Sequence, residues 1–160
     1  MNVINEAGIL ALSTRLQRLS EQLRKDGALI YKSFGIEFEP KWFPVVLALH
    51  RKEVLSVVEI ASEIGYAHPS TINLLKELEK KGLIRSKKDK LDERKRLISL
   101  TPKGAELVNK IEPVWELIAN VLGEISDNEN HLLKAIDEAE AKIATQTFYQ
   151  RALQQKDSKK

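Results

Sequence analysis

Residues 55–104, LSVVEIASEIGYAHPSTINLLKELEKKGLIRSKKDKLDERKRLISLTPKG, hold the pattern that decides the fold. Ser56 and Glu59 have the spacing of a capping box, which predicts a short helix that Gly65 ends after about two turns. Pro69, four residues later, suits the first position of a second helix. Two helices joined by a glycine turn are typical of a helix-turn-helix.

The second helix is predicted over residues 70–81, and Gly82 ends it. Its apolar positions repeat at i, i+3, i+4 and i+7, which gives one core-facing stripe, while its other face is polar. The pattern then changes to two short strands, residues 83–86 and 96–100. Between them lie about nine residues, all charged except Leu91, so the strands form a charged wing. Thr101 and Pro102 start the next helix.

Composition restricts the class of protein. The 160 residues are 42% hydrophobic and 31% charged, which is typical of one globular domain. The absence of cysteine excludes a disulfide framework, a cysteine nucleophile and a thiol redox switch. No apolar stretch is long enough for a membrane span and the N-terminus lacks the features of a signal peptide, so we expect a soluble, cytoplasmic protein.

The charge distribution is uneven although the net charge is only +3. Residues 66–96 contain ten Lys or Arg against five Asp or Glu, whereas the rest of the chain is slightly acidic. A basic segment of this kind favours a nucleic-acid partner. A solvated charged face has about equal weight on charge alone.

Residues 43–104 resemble the winged helix-turn-helix of the MarR family of bacterial transcription regulators. The resemblance rests on ELEKKGLI at the end of the second helix, on Asp92-x-Arg94 in the wing and on LTPKG at residues 100–104. It implies a mainly α-helical protein with a small β-wing (α+β), an obligate homodimer, pseudo-palindromic double-stranded DNA as partner, and release of DNA by a small-molecule effector. Ala67 stands where many members have serine, so the cap of the second helix is expected to differ from that of the family. Asn73 stands where many members have arginine, so the base that is read is expected to differ as well.

The candidate DNA-binding residues lie on the second helix and in the wing: His68, Ser70, Thr71, Asn73, Lys76, Lys87, Lys88, Asp92, Arg94, Lys95 and Arg96. Asn73 suits adenine, whereas Thr71 belongs either to the base-reading face or to the core stripe. His68 either meets a phosphate or is structural. Arg94 suits the minor groove, held by an ion pair with Asp92.

The two ends of the chain are predicted to form the dimer. We expect one domain over residues 1–160, with dimerisation helices over 5–42 and 105–153 and the DNA-binding part over 43–104. Apolar residues recur at helical spacing at both ends of the chain, where they have no compact core of their own. A second copy of the chain would bury them. These predicted interface residues are Ile9, Leu12, Leu16, Leu19, Leu23, Ile136 and Ile143. Ser126 and Glu129 have capping-box spacing, and the polar tail from Gln154 is expected to fray.

A ligand pocket is weakly indicated and catalysis is not. Four aromatic residues either line a cavity or form plain core: Tyr31, Trp42, Phe43 and Trp115. The three histidines lack metal-ligand spacing, and no nucleophile motif or glycine-rich phosphate loop occurs, so we expect no enzyme, metal or cofactor. Two rival functions remain, a winged-helix protein-interaction module and, if the chain is a fragment, the regulatory part of a larger enzyme.

Overall fold

The computed structural model describes residues 2–127 and 129–158 of the chain. Its α-helices are α1 Val3–Glu6, α2 Leu12–Ser33, α3 Phe43–Lys52, α4 Val57–Ile64, α5 His68–Lys80, α6 Pro102–Ser126, α7 Leu132–Thr145 and α8 Phe148–Asp157. Its strands are β1 Val54–Ser56, β2 Ile84–Lys88 and β3 Arg96–Leu100, and 3-10 turns lie at Gly8–Ala11 and Pro40–Trp42. The predicted fold class, mainly α with a small β-wing, is confirmed.

The chain divides into two compact units, Met1–Trp115 and Glu116–Lys160. The first contains the helix-turn-helix and the wing. The second contains the end of α6 together with α7 and α8. The functional division into residues 5–42, 43–104 and 105–153 stays a prediction.

The helix-turn-helix consists of α4, a tight turn and α5. The Ser56 hydroxyl accepts a hydrogen bond from the Glu59 N–H and the Glu59 carboxylate accepts one from the Ser56 N–H, so the predicted capping box is confirmed. Gly65 ends α4 in the left-handed region with a φ of 68°, where glycine meets no steric penalty. Helix α5 begins at His68, earlier than the predicted residue 70, because Ala67 is the last extended residue before it.

The wing is the hairpin of β2 and β3 in an antiparallel sheet of order β1-β3-β2. The register pairs Ile84 with Leu100 and Lys88 with Arg96. Strand β1, which the sequence pattern did not predict, pairs with the far side of β3. Three residues are too few to show an alternating pattern, so only the long-range pairing reveals this strand.

The core of the first unit joins the helix-turn-helix to the sheet and to α6. Leu49 of α3, Ile60 of α4 and Leu78 of α5 are fully buried, as are three residues of α6. Burial of these apolar surfaces stabilises the position of α5 relative to the wing.

The C-terminal unit differs from the sequence-based expectation in two places. Ser126 is the last residue of α6 and its hydroxyl donates to the Leu122 carbonyl, so it does not cap a following helix. The expected frayed tail is instead largely helical, because Thr147 and Gln150 cap α8 reciprocally. Helix α8 continues to Asp157, and the tail's last two residues lie outside the described part of the chain.

Candidate nucleic-acid interface

A groove lies between α5 and the wing and has a cavity volume of about 720 Å³. Its floor is apolar, with side chains such as Ile72 and Ile98. The groove lining contains two acids, Glu59 and Glu79, and five residues predicted to bind DNA: His68, Lys76, Arg94, Lys95 and Arg96. The structure therefore brings together a helix and a hairpin that are far apart in sequence on one basic surface.

The outer face of α5 is polar and exposed. Ser70, Asn73 and Lys76 are exposed at a spacing of three residues, so they lie along one side of the helix. Thr71 is fully buried, and its hydroxyl donates to the Ala67 carbonyl at 3.1 Å. Of the two alternatives for Thr71, the structure therefore shows the core position, and its placement among the base-contacting residues is corrected.

The two lysines at the end of β2 lie on opposite faces of the sheet. Side chains alternate along a strand, so Lys88 shares its face with Ser86, which lines the groove. Lys87 shares the other face with Arg85. Both lysines are exposed, but only Lys88 lies on the groove side.

The wing tip is closed by hydrogen bonds of its own backbone. The Asp89 N–H donates to the Lys95 carbonyl and the Lys95 N–H donates to the Asp92 carbonyl, each at 2.9 Å. The Asp92 carboxylate accepts a hydrogen bond from the backbone N–H of Arg94 at 3.1 Å. The Asp92 carboxylate thus forms an Asx turn instead of the predicted ion pair with the Arg94 guanidinium. None of the ion pairs in residues 2–127 and 129–158 joins these two side chains.

Two further residues, which sequence reasoning missed, shape the groove. The Ser86 hydroxyl accepts a hydrogen bond from Nε of Arg96 at 2.7 Å and thereby fixes that guanidinium beside the groove. The Ser56 N–H holds the pKa of Glu59 below its usual value, so this groove residue is a carboxylate. The strand register, which places Ser86 diagonal to Arg96, is the signal for the first of these contacts.

Residues 37–41, which precede α3, form ion pairs with the C-terminal end of α5. Nζ of Lys41 lies 2.8 Å from the Glu77 carboxylate and 3.1 Å from that of Glu39. Lys81 pairs in the same way with Glu37 at 2.7 Å. The hydrogen bond from Lys41 lowers the pKa of Glu77, so this carboxylate of α5 is ionised and already has a cationic partner.

The predicted dimer residues are only partly covered by their own chain. Ile9, Leu12, Leu16 and Leu23 are exposed and Leu19 is half-buried. The first three, with Leu19, line a shallow groove of about 610 Å³. In the second unit Ile136 is half-buried and Ile143 is exposed. A stripe of apolar side chains along the N-terminal part of α2 is therefore exposed to solvent in the single chain.

The four aromatic residues of the predicted ligand pocket are packed in one cluster. The indole N–H of Trp115 donates to the Tyr31 hydroxyl at 3.0 Å, and Phe43 meets Trp115 edge-on with ring centroids 5.3 Å apart. Phe38, which the sequence did not single out, lies edge-on to both Tyr31 and Trp42. Burial raises the pKa of Tyr31, so its hydroxyl is neutral. These contacts form an aromatic core, and the ligand-binding role of the four aromatic residues stays a prediction.

A metal-ligand cluster and a membrane-spanning helix are both absent from residues 2–127 and 129–158. No group of three His, Asp or Glu side chains there is placed to hold a metal ion. None of the helices described has both the length and the apolar character needed to cross a membrane.

Comparison with known proteins shows that this arrangement is similar to that of known transcription regulators. A model of the MarR family matches residues 35–95, which contain the helix-turn-helix and most of the wing. Over these residues the chain is similar to the MarR family. A curated relative, the HTH-type transcriptional regulator TtmR of Methylorubrum extorquens (strain PA1), is 36% identical to this chain over 89 residues. The match covers 56% of this chain and only 46% of that relative.

Solved structures of MarR-family fold extend the likeness beyond the matched segment. The transcriptional repressor CouR bound to a 23-mer DNA duplex has a TM-score of 0.64 and 26% identity, covering 86% of this chain and 96% of that one. A M. tuberculosis transcriptional regulator, MosR, has a TM-score of 0.71 over 84% of this chain and 97% of that one, and at 19% identity it shows the fold alone. The family and these relatives are transcription regulators and not enzymes, in agreement with the expectation from sequence.

Proposed function

We propose that the protein is a homodimeric, sequence-specific DNA-binding transcription regulator that acts in the cytoplasm as the repressor of a pseudo-palindromic operator. The observation that carries the proposal is the basic groove between α5 and the wing, since Lys76, Arg94, Lys95 and Arg96 face one surface. A concentration of cations with exposed polar groups on a recognition helix matches a phosphate backbone with base edges beside it. CouR, the DNA-bound repressor, supports the same assignment.

Each part of the surface has its own proposed role. Ser70 and Asn73 read base edges in the major groove, and Asn73 suits the N6 and N7 of adenine. Lys76 and Lys88 contact phosphates and position the helix. Arg94 enters the minor groove, where a planar and weakly hydrated guanidinium fits better than an ammonium.

The proposal also covers the dimer interface and the regulation of DNA binding by a small-molecule effector. The exposed stripe of Ile9, Leu12 and Leu16 meets the same stripe of a second copy, because an isologous interface is self-complementary. A small-molecule effector that alters the packing of the aromatic cluster would shift the distance between the two recognition helices. The cluster joins α2, α3 and α6, so it links a dimerisation helix to the DNA-binding part.

We expect the affinity for duplex DNA to depend strongly on salt. A dimer that neutralises roughly six to ten phosphates should lose about three to five decades of affinity between 50 and 200 mM salt. Titration of a labelled duplex at four salt concentrations measures the slope. Absence of salt-dependent binding to any duplex would favour a protein-interaction module instead.

The wing gives a test in which the sign of the effect is diagnostic. Asp92→Ala should weaken DNA binding although it removes a negative charge, because the backbone of Arg94 loses its hydrogen bond to the carboxylate. Asp92→Asn is the matched control, since an amide oxygen still accepts that bond, and should bind at least as tightly as the wild type. Arg94→Lys should lose affinity despite the retained charge.

These variants are compared on one labelled operator at fixed salt. Tighter binding by Asp92→Ala than by the wild type would show that Asp92 only repels phosphate. The wing would then act as a plain basic patch.

A further inference from the structure

Leu91 stands out in the wing because it is 97% exposed among charged neighbours. Its side chain is as exposed as in an unfolded chain, so burial contributes nothing to folding at this position. Lys90 and Asp92 flank it, and the function proposed above assigns it no role. The structure thus presents a large apolar side chain at the tip of the hairpin.

The tip that carries Leu91 is ordered by hydrogen bonds on both sides. The Leu91 N–H donates to the Asp89 carboxylate at 2.9 Å, and two residues later the Arg94 N–H donates to the Asp92 carboxylate. The backbone bonds of Asp89 and Lys95 close the loop below them. Two consecutive Asx turns therefore fix the backbone between residues 89 and 95, and little conformational entropy is lost when this tip meets a partner.

The charge around Leu91 indicates the kind of partner. Residues 87–96 hold six Lys or Arg and three Asp or Glu. Two of those acids, Asp89 and Asp92, are engaged as acceptors of backbone N–H groups. A net positive rim around one apolar side chain is complementary to a polyanion whose surface also offers apolar groups.

The minor groove of DNA is such a surface, since deoxyribose C–H groups form its walls between two rows of phosphates. We propose that Leu91 packs against a deoxyribose wall of the minor groove next to the position that Arg94 enters. The inference rests on the proposed DNA-binding function and adds a contact that is apolar and tolerant of sequence. Every nucleotide has the same sugar, so Leu91 contributes affinity and positions the wing without reading a base.

The salt dependence of binding separates this contact from the surrounding charges. Leu91→Ala should weaken binding to a labelled operator about three- to tenfold, as expected for loss of a few apolar groups from a contact. The slope of log affinity against log salt should be that of the wild type, because no phosphate contact changes. Leu91→Met, which keeps a long apolar side chain, should bind like the wild type.

Lys95→Ala is the charged control on the same tip and should lower the slope by about two, because the dimer loses one phosphate contact in each protomer. The thermal unfolding midpoint of Leu91→Ala should equal that of the wild type, since the side chain is exposed in the folded protein. Hydroxyl-radical footprinting reports the sugars directly, and Leu91→Ala should lose protection at the outer minor grooves of the operator.

The outcomes distinguish this inference from the proposed function. If the wild type binds no duplex, the proposed function fails and the inference with it. If the wild type binds and Leu91→Ala binds equally well, the proposed function stands and the role of Leu91 is rejected. A changed salt slope in Leu91→Ala would also reject it, because the substitution would then act on the charges of the tip.

Discussion

Gly104→Ala is expected to lower the free energy of unfolding by about 3 kcal/mol or more. A Cβ at this position of α6 would lie 2.1 Å from the Leu83 carbonyl oxygen and 3.3 Å from Cδ2 of Leu100. The Leu83 carbonyl cannot move freely, because it accepts the Thr101 N–H at 3.0 Å where β3 leads into α6. The clash therefore falls on backbone that joins the wing to the following helix.

Gly123→Ala is the matched control in the same helix. A Cβ there meets no atom within 4 Å, so the substitution should stabilise the protein by about 0.5–1 kcal/mol through the better helix propensity of alanine. Urea unfolding at one fixed protein concentration measures both variants. Equal stability of Gly104→Ala and the wild type would contradict the packing of α6 against Leu83.

Leu16→Glu is expected to abolish dimerisation and, with it, tight operator binding. Leu16 is 43% exposed in its own chain, so the substitution removes few contacts within the protomer. In the proposed dimer the same side chain is buried against the second copy, where an unpaired carboxylate is strongly unfavourable. A lone protomer can engage one half-site only, so operator affinity should fall by several decades.

Thr14→Glu provides the control, because Thr14 is exposed on the face of α2 opposite the apolar stripe. Sedimentation velocity at micromolar concentration should show dimers for the wild type and Thr14→Glu but not for Leu16→Glu. We further expect that the monomer is not independently stable, so Leu16→Glu should also lose helical circular dichroism. A folded wild-type monomer at this concentration would contradict the dimer proposal.

The elements that could be predicted from sequence are those with local signals. The capping box of Ser56 and Glu59 and the turn at Gly65 depend on residues a few positions apart, and the hairpin of the wing depends on two strands joined by one charged loop; each is present. Strand β1 escaped prediction because its only support is its pairing with β3, more than forty residues later. Helix propensity and periodicity contain no information about such a contact.

The details of the candidate site were harder to predict than its location. Thr71 falls in a stripe of leucines, and only the observed burial distinguishes a core threonine from one that reads bases. The Asp92-x-Arg94 spacing fits both an ion pair and an Asx turn, and the structure shows the turn. The contact of Ser86 with Arg96 depends on strand register, which the charged loop between the strands leaves undetermined.

Selection of bound duplexes from a random pool tests the central claim, that a symmetric dimer reads DNA through α5 and the wing. We expect a palindromic consensus with half-sites about one helical turn apart. The same selection with Asn73→Ala should relax one symmetric position in each half-site, at a cost of about 1–3 kcal/mol for the preferred base. Absence of enrichment, or a consensus without two-fold symmetry, would contradict the account.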